Sequence, residues 1–202
     1  SMGLFSIVGD SLHITDTVSY FPASFQQKYH HSHGPLTAIS GNKIVYLFED
    51  GDSISVYNME TKERQNVASI GQLDKNYHPI LMNHDSTMNI NYIIRNFITS
   101  SHVYLFLYDE YRKVYYLGTK PERPYLSEDG TRVNDPYDFP LRITVLDSNF
   151  KKLKHIDIPE GVFWGLGVYS FVGPKGLYLM HKPINSNINY EIYDFTQRNN
   201  SH

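Results

Sequence analysis

His102-Val-Tyr-Leu-Phe-Leu-Tyr-Asp-Glu-Tyr-Arg-Lys-Val-Tyr-Tyr-Leu117 is the stretch that decides the fold class. Val103, Leu105 and Leu107 alternate with Tyr104, Phe106 and Tyr108. A charged segment follows at Asp109-Glu-Tyr-Arg-Lys113, and Val114-Tyr-Tyr-Leu117 resumes the apolar pattern. β-Branched and aromatic residues at period two, interrupted by a few polar ones, predict two antiparallel strands joined by a turn. Large apolar or aromatic groups occupy both faces of this hairpin. Each face therefore needs a cover, and the hairpin is expected in the middle of a layered β structure.

The flanking sequence has the same texture. Lys43-Ile-Val-Tyr-Leu-Phe48 and Ser53-Ile-Ser-Val-Tyr57 enclose Glu49-Asp-Gly-Asp52, and Glu63-Arg-Gln-Asn-Val67 returns. Leu141-Arg-Ile-Thr-Val-Leu146 and Lys152-Leu-Lys-His-Ile-Asp-Ile158 enclose Asp147-Ser-Asn-Phe150. Val168-Tyr-Ser-Phe-Val172, Gly176-Leu-Tyr-Leu-Met180 and Tyr190-Glu-Ile-Tyr-Asp-Phe195 complete the strands. At the other end, Leu4-Phe-Ser-Ile-Val8 and Ser11-Leu-His-Ile-Thr15 flank Gly9-Asp10, a hairpin signal. Phe21, Phe25 and Tyr29, with Pro22 near the start, permit a two-turn helix, the one helix expected. Residues 71–89 read as a polar connection with a short strand at Ile80-Leu-Met82, and Asn91-Tyr-Ile-Ile-Arg-Asn-Phe-Ile98 as the lead-in to the central hairpin. Residues 119–140 hold Pro121, Pro124, Pro136, Pro140 and Gly130, so they form a long excursion of the kind that often carries function.

A repeat emerges from the strand ends. Val56-Tyr-Asn58, Leu107-Tyr-Asp109, Val145-Leu-Asp147 and Ile192-Tyr-Asp194 recur 51, 38 and 47 residues apart. Propeller blades repeat about every 40–50 residues, and Asn or Asp suits a turn by bonding backbone two residues on. The shorter interval predicts that two copies share one blade. The expected fold is all-β, a single domain over residues 1–202 made of antiparallel sheets as a partial or complete β-propeller, with at most one short helix. A β-sandwich is the alternative.

Composition narrows the classes. The chain of 202 residues carries a net charge of −3 with a pI near 6.3, so no electrostatic footprint for nucleic acid is present. No run of about 18 apolar residues offers a transmembrane segment. Cysteine is absent, which excludes disulfides, thiolate nucleophiles and cysteine-ligated metals. Ser1-Met2 reads as an expression remnant, which leaves room for an export signal or lipid anchor upstream.

Tyr108-Asp-Glu-Tyr-Arg-Lys-Val-Tyr-Tyr116, Ile143-Thr-Val-Leu-Asp-Ser-Asn-Phe-Lys-Lys-Leu153 and Gly176-Leu-Tyr-Leu179 resemble an uncharacterised Bacteroidetes family, a domain of unknown function with a TolB-like six-bladed propeller. The resemblance covers roughly residues 35–195 and departs from the family at Leu117, where members often carry Arg. It implies the C-terminal part of a longer propeller in an exported, periplasmic or lipid-anchored protein of the cell envelope. No catalytic residue carries over from it. An open arc of blades leaves outer faces exposed, so a homodimer that covers them is also expected.

Candidate chemistry is sparse. Trp164 stands between glycines in Gly161-Val-Phe-Trp-Gly-Leu-Gly-Val-Tyr169 and, with Phe163, Tyr137 and Tyr125, could form an aromatic platform for a glycan or peptide. The competing account is a residue filling space between sheets. His30, His31 and His33, with His13 or Asp16, are the densest set of metal ligands, but Gly34-Pro35 ends any helix that would align them, so no metal or cofactor is expected. Asp50, Asp52, Asp135 and Asp138 lack the alternating spacing of a calcium loop. Asp109 and Glu110 point to opposite sides of a strand end, with Asp109 assigned to the turn and Glu110 to a pairing with Arg112 or Lys113. The expected function is a non-catalytic binding or scaffolding module whose partner is a protein, peptide or glycan. The alternative is a glycoside-hydrolase-like, carbohydrate-active enzyme using acids of the 119–140 loop.

Overall fold

The computed structural model describes residues 2–8, 11–20, 28–29, 35–49, 51–83, 89–163, 169–181 and 188–195. The central hairpin forms as expected from β9 (His102–Asp109) and β10 (Val114–Lys120), and extends through β11 (Leu141–Leu146) to β12 (Lys152–Ile158) as an antiparallel four-stranded sheet. A preceding four-stranded sheet runs β4 (Pro35–Ser40), β5 (Lys43–Phe48), β6 (Ser53–Asn58) and β7 (Arg64–Ser69). A three-stranded sheet follows, β13 (Phe171–Gly173), β14 (Gly176–Met180) and β15 (Tyr190–Tyr193). β1 (Met2–Val8) and β2 (Ser11–Ser19) pair with Val8 opposite Ser11. β3 (Lys28–Tyr29) pairs with β8 (Met82–Asn83).

The sheets stack in chain order, and alternation along each strand explains how. Val103, Phe106, Tyr115 and Leu117 face the first four-stranded sheet, packing with Val45, Leu47, Ile54 and Val56. Leu105, Tyr116, Ile143 and Val145 face the other way, onto Leu177 and Leu179. A bulge after Val103 sets consecutive Tyr104 and Leu105 toward the same layer. Val18 of the N-terminal hairpin covers Ile44, Tyr46, Phe48 and Tyr57 on the far side of the first sheet. The central hairpin is thus covered on both faces. The outer face of the three-stranded sheet carries Phe171, Tyr178, Tyr190 and Ile192, with Phe171 stacked on Tyr178 at 4.6 Å.

Close packing needs Gly118. A Cβ there would lie 2.7 Å from Leu105 Cβ and 3.2 Å from Ile143 Cδ1. Gly118→Ala should cost about 1–3 kcal/mol, read as a Tm lowered by a few degrees in calorimetry, because neither neighbour can retreat from a sheet covered on both sides. An unchanged Tm would show that Leu105 and Ile143 can make room for a methyl group beside them on this face of the sheet.

Two helices correct the expectation of at most one: α1 (Ile70–Leu73) and α2 (Ile90–Thr99). Asn89 caps α2, its side chain accepting from Asn91 N and Tyr92 N. Ile90, Ile93, Ile94, Phe97 and Ile98 then fall on helical spacing. Isoleucine by itself favours strands, and the cap with its i, i+3, i+4 pattern overrides that propensity. The helix expected over 21–29 lies outside the described residues except for Lys28 and Tyr29, which are in β3. The short strand expected at Ile80-Leu-Met82 is found at Met82–Asn83, and that at 168–172 becomes Phe171–Gly173.

The repeat at the strand ends is a single device used three times. Asn58 accepts from Glu60 N and Thr61 N, Asp109 from Tyr111 N and Arg112 N, and Asp147 from Asn149 N and Lys151 N. Each turn closes through a left-handed residue, Lys62, Lys113 or Phe150, the only non-glycine residues of positive φ among the described residues. Asp109 and Asp147 lie in the same sheet, as the shorter interval required. Arg112 pairs with Asp109 rather than Glu110, which stays exposed.

Candidate functional site

The two ends of the layered sheets differ. One end carries the tight Asn/Asp turns and the Gly173–Gly176 turn, joined where Arg112 Nη2 donates to Pro174 O at 3.1 Å. The opposite end carries α1 and α2, the 74–82 connection, the 121–140 excursion and residues 159–163, which follow β12. Elaborate connections on a stiff scaffold are where binding residues concentrate.

Buried polar groups anchor this end. Lys120 is fully buried, and its ammonium donates to Ile98 O at 2.8 Å, Ser100 O at 2.6 Å and Pro121 O at 3.3 Å. It thereby satisfies carbonyls at the C-terminus of α2. Among the described residues it pairs with no carboxylate, and burial pushes its pKa down to about 7. Asp74, also buried, accepts from Thr119 Oγ1 at 2.6 Å and Arg142 Nη1 at 2.9 Å. Arg142 grips Asp157 with two further bonds of 2.6 and 3.1 Å. That grip, chiefly, raises the guanidinium above its usual range and lowers the Asp157 carboxyl. No motif marks these residues in the sequence. A lysine at a strand end beside proline reads as solvated until α2 is laid over it.

The excursion is itself folded. Leu126 bridges Val133, Ser127 N donates to Arg132 O at 2.9 Å, Asn134 N to Tyr125 O at 3.0 Å, and Asn134 Nδ2 to Pro124 O and Leu126 O. The loop itself lines an open cleft of about 1040 Å³, its walls including Arg123, Pro124, Leu126, Arg132 and Pro140, with Glu160 from beyond β12.

The expected aromatic residues occupy other places. Tyr137, half exposed, meets Phe97 of α2 at 6.3 Å. Phe97 continues to Tyr104 at 6.0 Å, Tyr104 to Phe139 at 4.6 Å, and Phe139 to Phe163 at 6.3 Å. Tyr137 and Phe163 are thus two ends of one aromatic chain, and Phe163 is buried in the core. Tyr125 lies under the Arg95 guanidinium at 5.4 Å. Tyr125 and Tyr137 together seat the excursion on α2 and line no part of the cleft. Trp164, His30, His31 and His33 lie outside the described residues.

Three of the loop's acids, Asp129, Asp135 and Asp138, accept from backbone N–H groups. Asp129 accepts from Ser127 Oγ at 2.6 Å and Thr131 N at 3.1 Å, and the Ser127 hydroxyl, first, holds its carboxyl down to about 2. Asp135 accepts from Tyr137 N, and Asp138 from Gly161 N. Asp16 is engaged by Tyr57 and Lys62, and Asp52 by Ser69 and Gly71. Among the described residues no three His, Asp or Glu side chains gather as metal ligands, and no helix is long and apolar enough to cross a membrane.

No family model matches the sequence, and no curated protein matches it. Among solved structures, a member of the DUF4221 family from Bacteroides vulgatus ATCC 8482 matches 74% of this chain at 23% identity with a TM-score of 0.54. The chain spans 41% of that protein's length. Citrobacter koseri AztD matches 83% of this chain and 36% of its own at 15% identity, but a TM-score of 0.29 is too low to bear on the fold. The Bacteroides match shows a shared fold, in keeping with the resemblance to a Bacteroidetes family of unknown function.

Proposed function

We propose that the chain is a non-catalytic binding module built as an arc of propeller-type blades of the DUF4221 kind, exported to the cell envelope, with its ligand seated in the cleft lined by the 121–140 excursion. Three consecutive meanders, each stacked on the next with its tight turns at one end, support the blade reading. The observation that carries the binding reading is the cleft itself, a large open concavity lined by a loop whose backbone is already bonded into shape. The glycoside-hydrolase reading has less support, because Asp129, Asp135 and Asp138 each hold backbone N–H groups.

A thermal-shift screen of short oligosaccharides tests the proposal. A ligand at 100 times its Kd should raise stability by about 2.7 kcal/mol, or Tm by about 5–10 °C, with no turnover of chromogenic glycosides. Hydrolysis that disappears on substituting Glu128 or Glu160 would instead favour the enzyme.

A further inference from the structure

Arg123, on the cleft wall, is a largely buried cation whose Nε and Nη1 lie behind the surface without a hydrogen bond. The Arg123 side chain is 8% exposed, and its Nη2 donates to Asp135 O. Its Nε and Nη1 form no hydrogen bond, although Nη1 lies 3.2 Å from Glu160 Oε2 in an ion pair. Guanidinium nitrogens buried without acceptors are costly, whereas a carboxylate that met them squarely would recover much of that cost. Glu160, whose side chain is 52% exposed, is the carboxylate that a ligand would have to displace. A second cation, Arg132, stands exposed on the cleft wall. Of the other wall acids, Asp129 accepts from Ser127 Oγ and Thr131 N, and Glu128 is exposed on the wall.

We propose that the cleft binds an acidic saccharide, a uronate carboxylate taking the place on Arg123 now held by Glu160, with Arg132 as a second contact. This rests on the cleft being the ligand site. A carboxylate is favoured because Glu160 already presents one to Arg123. A saccharide is favoured over an acidic peptide because the loop offers no strand edge. Ser127 N and Asn134 N are bonded within it, so an extended peptide would find no backbone ladder to join. Pro124, Leu126 and Pro140 instead supply apolar surface for sugar ring faces.

Calorimetric titration at low salt with trigalacturonate, neutral galactotriose and triglutamate tests this in the wild type and three variants, each checked for native circular dichroism. Wild type should bind trigalacturonate about tenfold more tightly than galactotriose. Glu160→Gln should tighten trigalacturonate about threefold or more by removing the internal competitor, and Arg123→Gln should weaken it about tenfold. Should Arg123→Gln fail to fold, Arg132→Gln, altered at an exposed position, should weaken binding about threefold and flatten its salt dependence. Equal binding of both trisaccharides, or no tightening by Glu160→Gln, overturns the uronate site while leaving the cleft reading standing. Preference for triglutamate overturns the saccharide in favour of a peptide. Absence of binding by all three probes overturns the site and the cleft reading together.

Discussion

Asp109→Ala should cost about 3–5 kcal/mol in urea unfolding, far more than a turn residue normally commands. The carboxylate is fully buried and accepts from Tyr111 N and Arg112 N at 2.9 Å, Arg112 Nη1 at 3.1 Å and Tyr116 OH at 2.7 Å. Arg112, itself 11% exposed, continues to Pro174 O and Asp194, so one carboxylate anchors the turn, the core tyrosine and the neighbouring sheet. Alanine would leave the Arg112 guanidinium with only Pro174 O and the half-exposed Asp194, and would take from the buried Tyr116 phenol its carboxylate acceptor. Asn58→Ala supplies the control, because Asn58 makes the same turn bonds without a buried ion pair, and should cost only about 1 kcal/mol. Equal losses from the two substitutions would show that Asp109 works as a turn residue alone.

The second large effect is a stability that climbs with alkalinity. Lys120 has its pKa lowered to about 7 in the fold, against an ordinary 10.5. Below pH 7 both folded and unfolded chains carry the charge, and the fold bears the full cost of burying it. Between about pH 7 and 10 the unfolded chain keeps a proton that the folded chain has shed. Raising pH through that window therefore stabilises the fold, by about 3 kcal/mol from pH 7 to 9.5 at 1.36 kcal/mol per unit. The climb ends above about pH 10. There the buried Tyr116, whose ionisation is pushed upward chiefly by burial, stays protonated while its unfolded counterpart ionises, and stability falls. Lys120→Met should remove the slope. A wild-type stability that is flat from pH 7 to 9.5 would show that the carbonyls of Ile98, Ser100 and Pro121 fully replace the lost hydration.

The sheet-level organisation was legible because it rests on local rules. Period-two alternation in 103–108 and 114–117 predicted a strand pair covered on both faces, and the apolar-apolar-Asx ending located three real turns. Helix α2 was not legible in that way, because five β-branched or aromatic residues on one face look like a strand until Asn89 is recognised as a cap. The site was less legible still. Tyr125, Tyr137 and Phe163 were noticed for their size, which says only that they must pack somewhere. Arg95, Phe97 and Phe139 then decided where.

Strand identity, turn chemistry and the absence of cysteine chemistry follow from neighbours in the chain, since backbone propensity and side-chain alternation act over a few residues. The fates of Lys120, Asp74 and Arg123 come from partners 12 to 68 residues away: Ile98 and Ser100 for the first, Thr119 and Arg142 for the second, Asp135 and Glu160 for the third. Burial and ionic pairing depend on which surfaces close over a group. That is decided only when α2, the excursion and the sheet ends meet in three dimensions.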